Sequence, residues 1–365
     1  MNPLSAFKYI RENKGKSFAV GIMLLLSTAV FALGNYVQSD FYTWEGNFNL
    51  ADKIVYVSAL GSDEDGSQFD SFLENIKGDK DLKFMPVGAR VGGINWRTPM
   101  GFEMGTSVYS FATKEDFLTM ARHWGLKGDF SKVKDDKSLI IGERLAKNRN
   151  IKAGEKIDSA REGVSISVPM TVDAVIPEDF YTAFYILGNE NVYNYYVYSD
   201  KLEGDALRQR VLSHKGKLDV YVNAESDRVT VGASMSGFRM IFIAVTAIVG
   251  VVLAITANTV ITGQFIGRRY EFGVYRAIGI SKGRIRFKIM SEILLLDLIS
   301  VVTGFGIILL AEYLINSTIM LPAGKYLLYF SSYGLLGFLG SNLMIVIPMI
   351  LSKSRQMLKT DVTEF

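Results

Sequence analysis

The 365-residue sequence has no cysteine and only two histidines. Without cysteine there are no disulfides, no thiolate metal sites and no cysteine nucleophile. Neither His123 nor His214 stands in a metal-ligand motif. The G-x-S-x-G pattern of a nucleophile elbow is missing. So is G-x-x-x-x-G-K-[ST], so the chain carries no nucleotide-hydrolysis loop of its own. The expectation is a chain that is not itself catalytic and holds no cofactor or metal. The formal net charge is only +3, too small an excess to argue for nucleic acid. Charge is also scarce locally. The stretches 17–37, 238–261, 293–314 and 327–351 are almost uncharged, while the rest reads as ordinary soluble protein.

Each of these stretches reaches about the 20 residues needed to cross ~30 Å of hydrocarbon. The first follows Lys8, Arg11, Lys14 and Lys16. It is longer than the apolar region of a usual signal peptide, and no Ala-x-Ala site follows it, so it reads as a retained span. Lys and Arg set the orientation. Arg268, Arg269, Arg276, Lys282, Arg284, Arg286 and Lys288 lie between spans two and three, and Lys353 and Arg355 open the tail. The loop between spans three and four carries only Lys325. Both termini are therefore expected inside, at a cytoplasmic (inner) membrane. The expected class is a multi-pass α-helical membrane protein with four transmembrane helices, one plus three, and a large α+β extracytoplasmic domain between the first and second. The expected segments are an amphipathic helix at 1–16, spans at 17–37, 238–261, 293–314 and 327–351, an outside domain at 38–237 and an outside loop at 315–326. Residues 262–292 form a cytoplasmic loop and 352–365 a cytoplasmic tail.

Within the spans, Asp297 stands as an acid in an apolar run. It is a candidate for a boundary or interior role, as is Glu292 at the entry to span three. Gly337 and Ser341 form a small-xxx-small pair that permits close helix packing. No row of polar residues marks a hydrated path, so the spans read as a packed bundle rather than a pore.

Residues 38–237 mix both periodicities. Strands are predicted over 53–59, 83–91, 138–141, 164–175, 192–199 and 218–222, and helices over 71–76, 113–124, 142–148 and 205–212. Thr113 with Glu115 and Asp116 makes a helix start. One or two subdomains are expected, a second of them starting near residue 138. Tyr193, Tyr195, Tyr196 and Tyr198 fall on one strand, with Tyr196 and Tyr198 on one face.

The most informative stretch is 267–285. It is basic, yet it carries Phe272, Val274, Tyr275 and Ile278 where a polar loop is expected. A positive loop that fixes topology would not need them. An amphipathic element docked on a membrane or a protein would. At this point the sequence resembles the FtsX-like, MacB-type permeases of ABC transport systems (type VII). Their pattern is roughly R-R-x-E-[IF]-G-[VI]-x-[RK]-A-[IL]-G-x-[ST], followed by an Ile and a Glu entering span three. Arg268, Arg269, Glu271, Phe272, Gly273, Val274, Arg276, Ala277, Ile278, Gly279, Ser281, Ile285 and Glu292 occupy those places. The opening Asn2-Pro3-Leu4 and the segment around Ile141-Gly142-Glu143 and Gly154 are also similar to the family. The tail lacks the family's usual Pro near the end.

The resemblance implies a permease subunit without a fused ATPase, paired with a separate cytoplasmic ABC ATPase dimer that binds ATP and Mg. A second permease chain, identical or homologous, and an extracytoplasmic adaptor are implied partners. It implies that Arg268, Arg269, Glu271, Phe272, Gly273, Arg276, Ala277, Gly279, Ser281 and Ile285 couple to the ATPase. ATP-driven motion would then reach the outside domain by mechanotransmission, for efflux of peptides, antibiotics or amphiphiles, or for lipoprotein release. The alternative is an ATPase-driven regulator of an envelope enzyme or sensor, without transport.

Overall fold

The computed structural model describes residues 10, 14–46, 49–60, 66–89, 91–178, 181–188, 194–223 and 227–359. The chain divides into two units. One comprises residues 1–38, 237–315 and 327–365, and the other 39–236 and 316–326. Of the amphipathic helix expected at 1–16, only Ile10 and the residues from Lys14 on fall among the described residues.

Among the described residues, three helices are long and apolar enough to cross a membrane by length and composition: Met240–Ile266, Lys282–Met320 and Ser332–Gln356. The apolar run at 17–37 does not form one such helix. It is split into α1 (Lys14–Ser27) and α2 (Ala29–Gly46). The cause is local. Ser27 Oγ donates to the Leu24 carbonyl and Thr28 Oγ1 to the Leu25 carbonyl. The Thr28 amide bonds Leu25 three residues back, tightening the turn.

The helix α7 (Asp227–Ile266) runs past the predicted end of span two. After the short α8 (Arg269–Ala277), α9 (Lys282–Ile315) begins well before the predicted span three. The basic segment is thus largely helical. Ile285, Ile289 and Ile293 recur at four-residue spacing and are buried, which gives the early turns of α9 a packing face. The last helix, α10 (Ser332–Lys359), carries the predicted tail onward as helix; residues 360–365 lie outside the described residues.

In the membrane unit, α1 packs along α9, and glycines permit the approach. A Cβ on Gly304 would overlap Thr28 Oγ1, and one on Gly34 would overlap the Gly334 backbone. Gly337 lies under Val30, where a Cβ would come within 3.2 Å of Val30 Cγ1. Ser341 Cα lies 3.5 Å from the position of a Cβ on Gly250. At one end of the unit Leu24, Ala257, Ile261, Phe265, Phe272, Ile285, Ile289 and Met349 form a buried cluster.

The other unit is α+β. Its strands are β1 (Ile54–Ala59), β2 (Lys83–Pro86), β3 (Asn95–Arg97), β4 (Glu103–Gly105), β5 (Ser107–Phe111), β6 (Ser138–Gly142), β7 (Lys156–Ile157), β8 (Met170–Ile176), β9 (Thr182–Ile186), β10 (Asn194–Tyr198) and β11 (Val220–Val222). Its helices are α3 (Ser67–Lys77), α4 (Lys114–Trp124), α5 (Glu143–Arg149) and α6 (Gly204–Lys215). An antiparallel sheet has the order β11-β1-β10-β2, a mixed sheet the order β5-β9-β6-β8-β7, and β3 and β4 form a hairpin.

Alternating residues explain the layers. On β10, Tyr196 and Tyr198 enter a cluster with Phe111, Phe117, Trp124, Ile140 and Phe184, beneath α4. Tyr195 and Val197 point to the other face, against Phe69, Phe72 and Ile76 of α3 and Leu207 and Val211 of α6. Tyr193 lies outside the described residues. The far face of the mixed sheet packs Leu139, Ile141 and Val172 against Leu145 of α5 and against Trp96. The Thr113 hydroxyl accepts from the Asp116 amide, and the Asp116 carboxylate accepts from the Thr113 amide, closing a capping box at the start of α4.

Three predictions need correction. The linear division near 138 does not occur, because both sheets draw strands from each side of it. The strand predicted over 83–91 ends at Pro86; the Val87 amide still bonds the Asn194 carbonyl, but Val87 then bridges Phe111 on β5. Just beyond, a Cβ on Gly88 would overlap the Phe111 carbonyl. The strand predicted over 164–175 starts only after Pro169, at Met170; before it, Val164 makes an isolated bridge with Ile94.

Candidate functional site

Within 267–285, α8 is a helix pinned at its start by charges. Arg268, Glu271, Phe272 and Tyr275 recur at three- and four-residue spacing, so they share one face. Arg268 is 7% exposed at its side chain and forks onto two carboxylates. Its Nη1 donates to Glu292 Oε2 at 2.6 Å and its Nη2 to Glu292 Oε1 at 3.2 Å. Its Nε donates to Glu271 Oε2 at 2.8 Å. Lys288, one turn before Glu292 on α9, places Nζ 3.1 Å from Glu292 Oε1 and 3.8 Å from Glu271 Oε1. Tyr275 donates its hydroxyl to Glu271 Oε1 at 2.9 Å. Two cations and two anions thus balance inside a largely apolar setting, with the Arg268 guanidinium 5.0 Å from the Phe272 ring centroid and 5.4 Å from that of Phe265.

The electrostatics follow the geometry. Burial works against the charge on Glu271, but hydrogen bonds and charge from Arg268, with help from Tyr275 and Lys288, hold its carboxyl below the usual range. Burial also works against charge on Arg268, and the two carboxylates outweigh it, holding the proton more firmly still. The Tyr275 phenol is pushed up to about 12, by burial first and then by its bond to Glu271.

The sequence-predicted residues therefore separate. Arg268, Phe272, Ile285 and Glu292 are buried and face the bundle. Arg269, Ala277, Gly279 and Ser281 are exposed, and Gly273, Glu271 and Arg276 are half-buried. Tyr270 and Ile278 stand 72% and 66% exposed beside them. After α8 the chain reverses at Gly279, whose φ of +83° suits glycine. The Gly279 amide bonds the Arg276 carbonyl and the Ile280 amide bonds the Tyr275 carbonyl, in the manner of a Schellman end. The Ser281 carbonyl then accepts from the Ile285 amide in the first turn of α9. Lys288 and Tyr275 are members of the cluster that sequence reasoning named for charge and apolar character but did not assign to the site. The signal was present in the i, i+3 pair Arg268 and Glu271 and the i, i+4 pair Lys288 and Glu292.

Further polar contacts lie inside the membrane unit. Asp297 accepts from Asn342 Nδ2 at 2.8 Å, joining α9 to α10. Glu312, an acid that the sequence reading passed over, accepts from Asn35 Nδ2 at 3.0 Å. Ser331 Oγ donates to Asn35 Oδ1 at 2.8 Å and accepts from the Gly334 amide at 2.9 Å. These partners lie 277 and 296 residues apart in sequence, so spacing could not reveal them.

In the α+β unit, the short segment 316–326 is part of the fold. The Tyr181 hydroxyl donates to the Gly324 carbonyl, Asn148 Nδ2 donates to the Ala323 carbonyl at 3.3 Å, and Arg144 lies over the Tyr326 ring. Gly324 has φ +62°, and a Cβ there would overlap the Arg144 carbonyl. Nearby, Asp40 accepts from the Met100 amide at 3.3 Å. Burial pushes its carboxyl up to about 6, against hydrogen bonds from Thr98 and Met100 and the charge of Lys325.

Among the described residues, no group of three or more His, Asp or Glu side chains is placed to hold a metal ion. None of the curated proteins compared matches the chain. Residues 233–360, which include α8, the buried charge cluster and all three long apolar helices, match the family model of the FtsX-like permease C-terminal region, and to that extent the chain is similar to those permeases.

Proposed function

We propose that this chain is the membrane subunit of an ABC transport system, in which a separate cytoplasmic ATPase moves the α8 region and thereby the α+β domain outside the membrane. The observation that carries the reading is the two-sided character of α8 within the FtsX-like region. One side is fixed to α9 through Arg268, Glu271, Lys288 and Glu292. The other presents Tyr270, Val274 and Ile278 with Arg269, beside the exposed Arg284, Arg286 and Phe287 of α9. Apolar and basic side chains held out on a rigid mount form a surface for a protein partner.

In this reading Arg269, Ala277, Gly279 and Ser281 belong to the contact surface. Arg268, Phe272, Ile285 and Glu292 hold it in place, and Gly273 and Arg276 lie at its margin. A fixed mount converts displacement of α8 into displacement of α9, since the two share one buried ion cluster. The four-span arrangement, with α1 and α2 as a broken first span, both termini inside and the 39–236 domain outside, is part of the proposal. So are a second permease chain, an adaptor, and work on peptides, amphiphiles or lipoproteins rather than passage through the bundle.

The test is co-purification of the full chain with a candidate ABC ATPase, followed by ATP hydrolysis with and without such substrates. A stable complex whose hydrolysis responds to substrate is expected. Tyr270→Ser with Ile278→Ser should weaken the complex while the isolated chain melts as before. If no ATPase associates, the proposal fails.

A further inference from the structure

Among the described residues of the α+β unit, six large apolar side chains stand exposed: Tyr42, Met100, Phe102, Tyr221, Ile319 and Leu321, at 43–58%. Five of them gather on three neighbouring segments. Tyr42 follows Asp40 on α2. Met100 and Phe102 form the tip of the β3–β4 hairpin, which is held to Asp40 by the Met100 amide. Ile319 and Leu321 precede Lys325, whose charge acts on Asp40. The tip itself is rigid. The Thr98 amide bonds the Phe102 carbonyl at 2.8 Å, the Phe102 amide bonds Thr98 Oγ1 at 3.1 Å, and Gly101 takes φ +91° to close the turn.

The same segments adjoin the apolar runs. Asp40 follows the run 17–37 by three residues, roughly 4.5 Å of helical rise. Lys325 precedes the run 327–351 by two. A folded domain seldom gathers exposed apolar side chains on one surface unless something covers them. Here the surface is continuous in chain with segments that enter hydrocarbon.

We propose that the hairpin tip, with Tyr42, Ile319 and Leu321, is a lipid-contacting wedge seated in the headgroup and upper acyl region of the leaflet on the side of the α+β domain. The occupant is phospholipid. A tyrosine, a methionine and a phenylalanine beside an acid and a lysine suit that layer, where amphipathic rings and long cationic side chains span the polar–apolar boundary. The wedge would hold the domain against the bilayer surface and give it access to molecules that partition there. The inference rests on the reading of the apolar helices as membrane spans.

The absence of cysteine makes the test direct. Met100→Cys and Phe102→Cys, made separately in the full chain and labelled with an environment-sensitive fluorophore, are placed in phosphatidylcholine nanodiscs. Quenching by brominated acyl chains is compared with quenching by aqueous iodide. Lys132→Cys is the water control. It lies beyond the far end of β5, beside Ser131 and Asp135, which bond Lys114. Ile307→Cys, 53% exposed on α9, is the lipid control. The expected result is that labels at 100, 102 and 307 lose most of their emission to brominated lipid, while the label at 132 responds only to iodide. If 307 is quenched by lipid but 100 and 102 respond only to iodide, the wedge is overturned and the spans stand. Shielding of 100 and 102 from both quenchers would mean that protein covers the tip, which also overturns it. If 307 escapes lipid quenching, the spanning reading fails and takes the wedge with it.

Discussion

In the α+β unit, Val, Ile, Phe, Tyr and Trp fill three buried clusters, and ion pairs such as Lys83 with Asp200 and Lys201 with Asp81 lie at the surface. In the membrane unit the distribution is reversed. Ile243, Ile248, Val252, Leu298 and Leu310 are exposed, while Arg268, Lys288, Glu292, Glu312, Asn35 and Asn342 are buried. In water, apolar burial drives packing and chooses the partners. Against lipid, apolar contact is similar inside and outside, so close-packed glycines and polar contacts distinguish one helix arrangement from another. The two units therefore differ in where a single substitution does most damage.

The largest effect is expected at the charge cluster. Arg268→Ala leaves Glu292 buried without its main partner, and removing one member of a buried pair costs about 3–5 kcal/mol. Thermal unfolding in detergent should show this, and Arg268→Lys should rescue only part, because it loses the two-carboxylate fork. The sharper form is a double-mutant cycle. Arg268→Met with Glu292→Leu should cost less than either change alone, and full additivity would show that the cluster is not coupled.

Next comes Gly324. Its positive φ and the overlap that a Cβ would make with Arg144 set a cost for Gly324→Ala of about 1–3 kcal/mol. Limited proteolysis within 316–326 should report it as faster cleavage. Equal cleavage would show that the segment does not depend on that backbone form.

A smaller effect of opposite sign is expected at Asp40, whose folded carboxyl titrates at about 6 against an ordinary 3.8. The folded state then binds a proton more tightly than the unfolded one. Stability should fall as pH rises through that window. Asp40→Asn keeps an oxygen acceptor for Met100 and should raise stability at pH 7 by about 1–2 kcal/mol, while flattening the pH slope. A variant less stable at pH 7 would show that the surroundings favour the Asp40 carboxylate over its protonated form.

Least affected should be the exposed side of α8, where Tyr270→Ser is expected to move stability by less than about 0.5 kcal/mol. If it instead unfolds the membrane unit, the side assigned to a partner is part of the core.

Much of this was legible from spacing. Alternation over β10 placed Tyr196 and Tyr198 on one face, and Thr113 marked the start of α4. β9 was missed because all five of its residues, Thr182 to Ile186, are buried. Its Phe184 and Ile186 enter one buried cluster and its Ala183 and Tyr185 another, so both of its faces are covered and the alternating signal disappears. The interleaving of strands across residue 138 was hidden for a different reason. Pairing of β1 with β10 is a long-range choice that no local pattern encodes.

The four apolar runs, the absence of cysteine and of the G-x-S-x-G and G-x-x-x-x-G-K-[ST] patterns, and the basic, aromatic character of 267–285 follow from the sequence alone, because length, composition and short-range spacing are local properties. The inward turn of Arg268 beside an outward Arg269, and the joining of Asn35 to Glu312 and Ser331, were decided by tertiary structure. Adjacent arginines are chemically identical, and only a carboxylate 24 residues further along the chain makes burial of one of them favourable.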